Sequence, residues 1–160
     1  MPPDKDELRR VMGRFATGVT VVTTRDGDQP HGMTANAVTS VSLNPPLVLV
    51  CVDRAADSHD IIARAGVFAL NILALAQQPL SDRFAVKEGA DAHRLEGVPH
   101  HARATGAPII DGSLAYLDCR VAERFPAGDH TIFLGEVADA GTLGGEAPLI
   151  FYQGRYLGLA

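Results

Sequence analysis

The stretch from Gly32 to Val50, GMTANAVTSVSLNPPLVLV, constrains the fold of this chain more than any other segment. Its alternate positions form one mostly polar row, Thr34, Asn36, Val38, Ser40 and Ser42, and one mostly apolar row, Ala35, Ala37, Thr39, Val41 and Leu43. Such an alternation predicts a strand with two unlike faces. The polar row carries no charge, although solvated strand faces usually carry Lys, Glu or Arg. It therefore fits either an ordinary Ser/Thr-rich strand or the wall of a site for a polar-edged ligand.

The strand predicted from Gly32 ends at the break Asn44–Pro46, and further short strands are predicted on both sides of it. They are Val19–Thr24, Leu47–Val52, Val67–Leu73, Leu114–Ala122, Thr131–Ala138, Leu149–Tyr152 and Arg155–Leu159. Because Leu47–Val52 is continuously apolar, we expect it to be a central strand that is buried on both faces. Many short strands with few helices favour a β-rich α+β barrel over alternating βα units.

Three short helices accompany the strands. Asp4 and Glu7 form a capping-box-like pair, which predicts a helix that starts at Asp4 and stops at Gly18. The other two helices are predicted over Ser58–Arg64, capped by Asp57 and ended by Gly66, and over Gln77–Phe84, with Pro79 in its first turn.

Length and charge limit the class of protein. With 160 residues, 46% of them hydrophobic, residues 1–160 are expected to form one domain with its own core. A net charge of −5 argues against nucleic acid or an acidic membrane as partner. The N-terminus has no apolar signal region, and no apolar run reaches the ~18 residues of a membrane span. Cys51 and Cys119 lie in apolar runs and are expected to be free thiols rather than a disulfide. We therefore expect a cytoplasmic protein.

The chain lacks the familiar catalytic motifs: it contains no GxGxxG, Walker loop, GxSxG or HExxH. His93, His100 and His101 crowd one segment, but no Cys or carboxylate pattern accompanies them, so a solvated loop explains them and no metal site is predicted. If the chain is an enzyme, a bound organic cofactor must carry the chemistry.

Two segments could contribute to a ligand site. In DRAADSHD, residues 53–60, a helix start at Ser58 offers N–H groups to a phosphate, and the Ser58 and His59 side chains could add donors. Asp57 opposes an anion there and fits a plain helix cap. Arg83, beside Phe84, could supply a counter-charge or simply be solvated.

The second segment, Gly128–Asp129–His130, directly precedes the strand TIFLGEV. A histidine held at a strand entry can direct its ring into the mouth of a cleft, although His is also a common turn residue.

Together these stretches resemble the flavin reductase-like family. The matching segments are FATGVTVVTT (15–24), GMTANAVTSVSLNPPLVLVCV (32–52), FALNIL (68–73), DRFA (82–85), GAPIIDGSLAYLDCRV (106–121) and GDHTIFLGEV (128–137). They cover nearly the whole chain, and the closest subgroup is the reductase partners of two-component flavin-dependent monooxygenases. The chain departs from the common pattern at Ala37, where many relatives have Ser, and at Val38, where an aromatic residue is common.

The resemblance implies a fold and a function. The fold would be an FMN-binding split β-barrel of Greek-key type with a few short flanking helices, assembled as a homodimer. The activity would be NAD(P)H:flavin oxidoreduction, with FMN, FAD or riboflavin as acceptor and NADH or NADPH as donor. The reduced flavin would reach a partner monooxygenase by diffusion. Neither the choice between FMN and FAD nor that between NADH and NADPH follows from the residues.

The resemblance also assigns residues. The flavin ring and ribityl chain would contact Thr34, Ala35, Asn36, Ala37, Ser40 and Val41. The flavin phosphate would lie near Asp53, Ser58, His59, Arg83 and Phe84, and the nicotinamide near Gly128, Asp129 and His130. No side chain is expected to act as nucleophile, acid or base, because hydride passes directly between stacked rings. Two alternatives stay open: a flavin-dependent oxidase or reductase of a small organic substrate, such as pyridoxamine phosphate, and a non-catalytic flavin-binding protein.

Overall fold

The computed structural model describes residues 1–87, 93–145 and 147–160. In these ranges the α-helices are α1 (Lys5–Met12), α2 (Asp57–Ala65) and α3 (Gln78–Phe84), with a 3₁₀ turn over Leu75–Gln77. The strands are β1 (Thr17–Gly18), β2 (Thr20–Asp26), β3 (Gln29–Ala35), β4 (Val38–Leu43), β5 (Pro46–Asp53), β6 (Val67–Ile72), β7 (His100–Ala102), β8 (Pro108–Ile110), β9 (Ala115–Ala127), β10 (His130–Thr142), β11 (Ile150–Tyr152) and β12 (Arg155–Leu157). Over these ranges, no helix has the length and apolar character that a bilayer crossing requires.

The main sheet has seven antiparallel strands in the order β3-β2-β6-β9-β10-β5-β4. Its inward side chains form a single core that draws on all seven strands and on Ile62 of α2. The core residues include Val22, Val50, Phe68, Cys119 and Phe133, with Met33 and Val38 packed against them from the two edge strands. A sheet whose two edges contact one core is curled, so the predicted β-rich split barrel is confirmed. Two small sheets, β1-β11-β12 and β7-β8, accompany it.

The prediction of one strand from Gly32 to the Asn44 break is wrong. The segment forms two strands, β3 and β4, which lie at opposite edges of the sheet. Asn36 and Ala37 connect them, so the two alternating rows do not share one strand. Val38 of the polar row packs against the core, whereas Val41 and Leu43 of the apolar row are 46% and 91% exposed. A register shift between Ser40 and Ser42 changes the facing of β4 partway along the strand.

Burial alternates along β5, which corrects the expectation of a strand buried on both faces. Val48, Val50 and Val52 point into the core, while the alternate residues are only partly covered. β5 lies next to the edge strand β4 and has only one face toward the core. The predicted strands Leu114–Ala122 and Thr131–Ala138 are also longer than expected, since β9 and β10 continue to a tight turn at Gly128–Asp129.

Two helix predictions need correction. Asp4 does cap α1, accepting a hydrogen bond from the Glu7 N–H, but the helix ends at Met12 rather than Gly18. Asp57 does not cap α2, because Ala56 occupies the N-cap position and supplies no side-chain acceptor. The left-handed Gly66 and the helix α3 are as predicted, and both cysteines are free.

Candidate functional site

The connection between β3 and β4 is the centre of the candidate site. Both Asn36 and Ala37 are exposed. Their carbonyl groups are used within the protein, because Asn36 accepts from the Val38 N–H and Ala37 from the Cys51 N–H, both at 3.0 Å. In the part of the chain that the structure describes, their own N–H groups have no protein acceptor. The connection thus presents two main-chain donors and a carboxamide, without charge, at the surface.

The ends of β5 and β10 lie beside this connection. Asp53 and His130 are paired across the two strands. Asp53 lies two residues after Cys51, whose N–H is bonded to Ala37 of the connection. His130 Nδ1 is 2.7 Å from Asp129 Oδ1, and this hydrogen bond is the main reason that the pKa of Asp129 is lowered. The His130 side chain is 41% exposed. A carboxylate therefore orients an accessible imidazole at the strand entry.

The first turn of α2 bridges two distant parts of the sheet. Ser58 Oγ is 2.7 Å from Nε2 of His31 on β3, and His59 Nε2 is 2.7 Å from Thr131 Oγ1 on β10. Asp60 lies 2.9 Å from the other ring nitrogen of His59. The Ser58 side chain is buried and its hydroxyl is already engaged with His31. Because both ring nitrogens of His59 are engaged as well, a phosphate at this turn would meet main-chain N–H groups more readily than either side chain.

His31 is buried in a stack of two imidazoles. Its ring centroid lies 5.2 Å from that of His93, at an interplanar angle of 22°, and His93 Nδ1 lies 2.9 Å from the Gly32 carbonyl oxygen. Burial, and then the proximity of His93, lower the pKa of His31 from 6.5 to about 4. At neutral pH His31 is therefore uncharged.

Helix α3 is joined to the edge strand β3. The Thr34 hydroxyl donates to the Ser81 carbonyl oxygen at 2.7 Å, and the Ser81 hydroxyl lies 2.5 Å from that of Tyr156. Arg83 donates to the carbonyl oxygens of residues 94 and 96, and its guanidinium lies 5.3 Å from the centre of the Phe84 ring. The Phe84 side chain is buried in the core. The Arg83 guanidinium is therefore partly engaged by these two carbonyl groups.

Ser40 and Val41 complete the predicted ring wall from β4, where both are exposed. A cavity of about 300 Å³ lies elsewhere, between the β2–β3 hairpin and α2, with His31, Asp57 and Arg64 in its lining. None of the residues predicted to contact flavin lines that cavity. Because Asn36, Ala37, Ser40 and Val41 are all exposed, this part of the predicted flavin wall is an open surface in one chain.

The three clustered histidines have separate partners. His93 contacts Gly32, His100 Nδ1 lies 2.7 Å from the Val98 carbonyl oxygen, and His101 Nδ1 lies 2.9 Å from Asp111. Among the residues that the structure describes, no group of three or more His, Cys, Asp or Glu side chains could hold a metal ion.

Three contacts at the site could not be predicted from the sequence. They are the hydrogen bond between Asn36 and Thr17, the His31–Ser58 pair and the Tyr156–Ser81 pair. Each joins residues 19 or more positions apart, and no local motif signals such contacts. The resemblance marked FATGVTVVTT as a matching segment, which was the only sign that the region of Thr17 matters.

The curled antiparallel sheet, with an exposed polar connection between its two edge strands, places this chain among the split-barrel domains. The model of the flavin reductase like domain matches residues 12–160. An NADH-dependent flavin reductase of Rhodococcus sp is 46% identical over 155 residues, covering 95% of this chain and 85% of the relative. The reductase component of a 4-nitrophenol 4-monooxygenase/4-nitrocatechol 2-monooxygenase of Rhodococcus opacus is 43% identical over 155 residues, covering 97% and 81%. The chain belongs to the flavin reductase-like family.

Solved structures agree with this assignment. The Streptomyces globisporus C-1027 NADH:FAD oxidoreductase SgcE6, in complex with NAD and FAD fragments, matches with a TM-score of 0.91 and 41% identity. That match covers 100% of this chain and 95% of SgcE6. The fold recognised from the sequence is therefore that of a structurally characterised flavin reductase.

Proposed function

We propose that this protein is an NAD(P)H:flavin oxidoreductase that supplies reduced flavin to a separate monooxygenase. The observation that carries the proposal is the Asn36–Ala37 connection, an uncharged donor surface beside the Asp53–His130 strand ends. Relatives named as NADH-dependent flavin reductase and as a monooxygenase reductase component support it. The cofactors are a flavin, FMN or FAD, and NADH or NADPH as the hydride donor.

The residues at the connection fit the edge of a flavin ring. A bound flavin supplies an acceptor for hydride from a reduced nicotinamide. The N–H groups of Asn36 and Ala37, with the Asn36 carboxamide, provide donors for negative charge that arrives on the ring edge. Ala35 and Ala37 are small enough to let the main chain approach a flat ligand closely. Ser40 and Val41 extend the same wall along β4.

The phosphate end of the flavin is assigned to the first turn of α2 and to α3. Main-chain N–H groups at the uncapped start of α2 attract an anion, and His59 and Arg83 add polar groups nearby. The Ser58 hydroxyl anchors this turn to β3 through its hydrogen bond with His31, and the buried Phe84 side chain anchors α3 to the core. The exposed carboxylates of Asp53, Asp57 and Asp60 oppose a highly charged ligand, which limits the strength of phosphate binding.

The nicotinamide is assigned to the strand entry Gly128–Asp129–His130. Asp129 keeps its charge over the working range of pH and holds the His130 ring through Nδ1. His130 would orient the nicotinamide carboxamide and would move no proton. The side chains at this site therefore contribute position and exclusion of water rather than covalent or acid–base chemistry.

The second chain of a homodimer would cover this open site. Ligand pockets usually enclose most of the ligand, whereas one chain leaves the connection and β4 exposed. The helix α1 has no buried residue: its apolar residues Leu8, Val11 and Met12 are 52–57% exposed, and Phe15, three residues after its end, is 71% exposed. An eight-residue helix is not stable without packing, so this surface requires a partner. We assign it to a second copy of the chain.

A coupled assay tests the function. The purified protein is mixed with NADH or NADPH and with FMN, FAD or riboflavin, and nicotinamide oxidation is followed. Turnover with at least one pair is expected. No turnover with any pair would exclude a flavin reductase, and flavin binding without turnover would identify a flavin-binding protein instead.

A dialysis experiment tests the delivery of reduced flavin. The reductase and a flavin-dependent monooxygenase are placed on opposite sides of a membrane that passes only flavin and nicotinamide, under low oxygen. Product formation across the membrane is expected for transfer by diffusion. Product only when both proteins share one compartment would show that transfer needs contact.

A further inference from the structure

The Asn36 side chain is held from a different sheet. Its Nδ2 donates to Thr17 Oγ1 at 3.2 Å. Thr17 belongs to β1, whose partner is β11, with Thr17 opposite Phe151 and Gly18 opposite Ile150. Phe151 in turn packs against a buried cluster that includes Val19 and Leu149. The main chain at Thr17 is thus fixed independently of the connection that carries Asn36.

Asn36 itself has little else to fix it. It is exposed and lies between β3 and β4, outside any ladder. In the part of the chain that the structure describes, Thr17 is its only side-chain hydrogen-bond partner. An exposed carboxamide that lacks such a partner samples several rotamers, and ordering it on ligand binding costs free energy. The Thr17 hydroxyl removes that cost in advance.

We propose that Thr17 is a positioning residue, which holds the Asn36 carboxamide beside the Asn36 and Ala37 N–H groups in the orientation that receives the flavin ring. The proposal rests on the proposed function, because it takes the connection as the ring site. Thr17 itself does not contact the ligand in this assignment. It acts through Asn36 alone, so its effect must vanish when the carboxamide is absent.

Equilibrium binding of oxidised flavin, followed by flavin fluorescence, tests the proposal without turnover. Thr17→Val keeps the branched shape and the strand preference but removes the hydroxyl, and Thr17→Ser retains it. We expect Thr17→Val to raise the Kd by about threefold to tenfold, as for one lost hydrogen bond. Thr17→Ser should stay near the wild-type value. Riboflavin and FMN should show the same ratio, because the contact is at the ring and not at the phosphate.

A double-mutant cycle supplies the decisive comparison. In an Asn36→Ala background, Thr17→Val should cause no further loss of affinity. Thr142→Val is the matched control: Thr142 is an exposed threonine at the end of β10 opposite to His130, and its substitution should leave both the Kd and the unfolding midpoint unchanged. The unfolding midpoint of Thr17→Val should also match the wild type, since the hydrogen bond is at the surface.

Two results would overturn the role of Thr17. One is an unchanged Kd for Thr17→Val while Asn36→Ala weakens binding. The other is an equal loss in both backgrounds, which would mean that Thr17 acts independently of Asn36. A wild-type chain that binds no flavin would instead contradict the proposed function, so the two failures are distinguishable.

Discussion

The buried imidazole of His31 links a single residue to the stability of the whole chain. Its pKa is about 4 in the folded protein and 6.5 as the unperturbed value. The unfolded chain therefore takes up a proton at higher pH than the folded chain does. Above pH 6.5 His31 does not lower the free energy of unfolding. As the pH falls toward 4, protonation of His31 in the unfolded chain lowers this free energy progressively.

We expect this residue to lower the free energy of unfolding by about 3 kcal/mol over that range. Urea unfolding across the acid range measures the effect. A His31→Asn variant should show a shallower pH dependence than the wild type, and His100→Asn, whose ring is only half-buried, should not. An identical pH dependence for His31→Asn and the wild type would contradict the assignment.

The proposed position of the nicotinamide depends mainly on the side chain of His130. Because its side chain is 41% exposed, His130→Ala should fold normally. We expect kcat/KM for NADH to fall by about tenfold, which corresponds to ~1.4 kcal/mol, with little change in flavin Kd. Steady-state kinetics with His100→Ala as control tests this. The assignment fails if KM and kcat for NADH are both unchanged.

Residue types and their local spacing suggested part of the candidate site. His130 could be proposed from its position at a strand entry, whereas Asp53 came only from the family resemblance, and the strand register pairs the two residues. The engagement of Ser58 by His31 could not, since His31 comes 27 positions earlier and carries no pattern. Asp57 was misjudged for a related reason: only the main-chain geometry places Ala56 at the N-cap.

Among the elements, β10 depends on one close approach. A Cβ at Gly135 would lie 2.6 Å from Cζ of Phe68 and 2.9 Å from Cβ of Cys119. Both neighbours are fully buried, so they have little room to move. The absence of a side chain at Gly135 therefore lets β10 pack closely against Phe68 of β6 and Cys119 of β9.

Gly135→Ala should destabilise the protein by about 2 kcal/mol through overpacking. Gly144→Ala is the control, because a Cβ at Gly144 meets nothing within 4 Å. Chemical unfolding of both variants gives the comparison. Equal stability of the two would show that the core around Phe68 adapts to the added methyl group.

Element types were predictable from the sequence to a greater extent than element placement. Periodicity predicted β2, β5, β6 and the C-terminal hairpin, because short apolar runs between turn residues are strong local signals. It failed at Asn36–Ala37, where the alternation continues although the chain crosses from one sheet edge to the other. Strand order is a long-range property: the many short strands and the family resemblance both indicated a barrel, but neither placed the crossing between its edges at Asn36–Ala37.

For the whole molecule, the exposed apolar surface of α1 and β4 predicts self-association. We expect a dimer in sedimentation equilibrium. Phe15→Ser, at a residue that is 71% exposed, should weaken it and raise the flavin Kd, because the second chain covers the site. Leu159→Ser, 69% exposed near the C-terminus, is the control and should do neither. A wild-type monomer with full flavin affinity would contradict the dimeric site.

Hydride transfer from a nicotinamide to a flavin can be measured directly by anaerobic stopped-flow mixing of the protein with flavin and NADH, followed by the loss of oxidised-flavin absorbance. We expect rapid bleaching that requires the protein, that is slower with NADH deuterated at the transferred position, and that is weaker in Asn36→Ala. Bleaching no faster than in a protein-free mixture, with every flavin and with both NADH and NADPH, would contradict the proposed function.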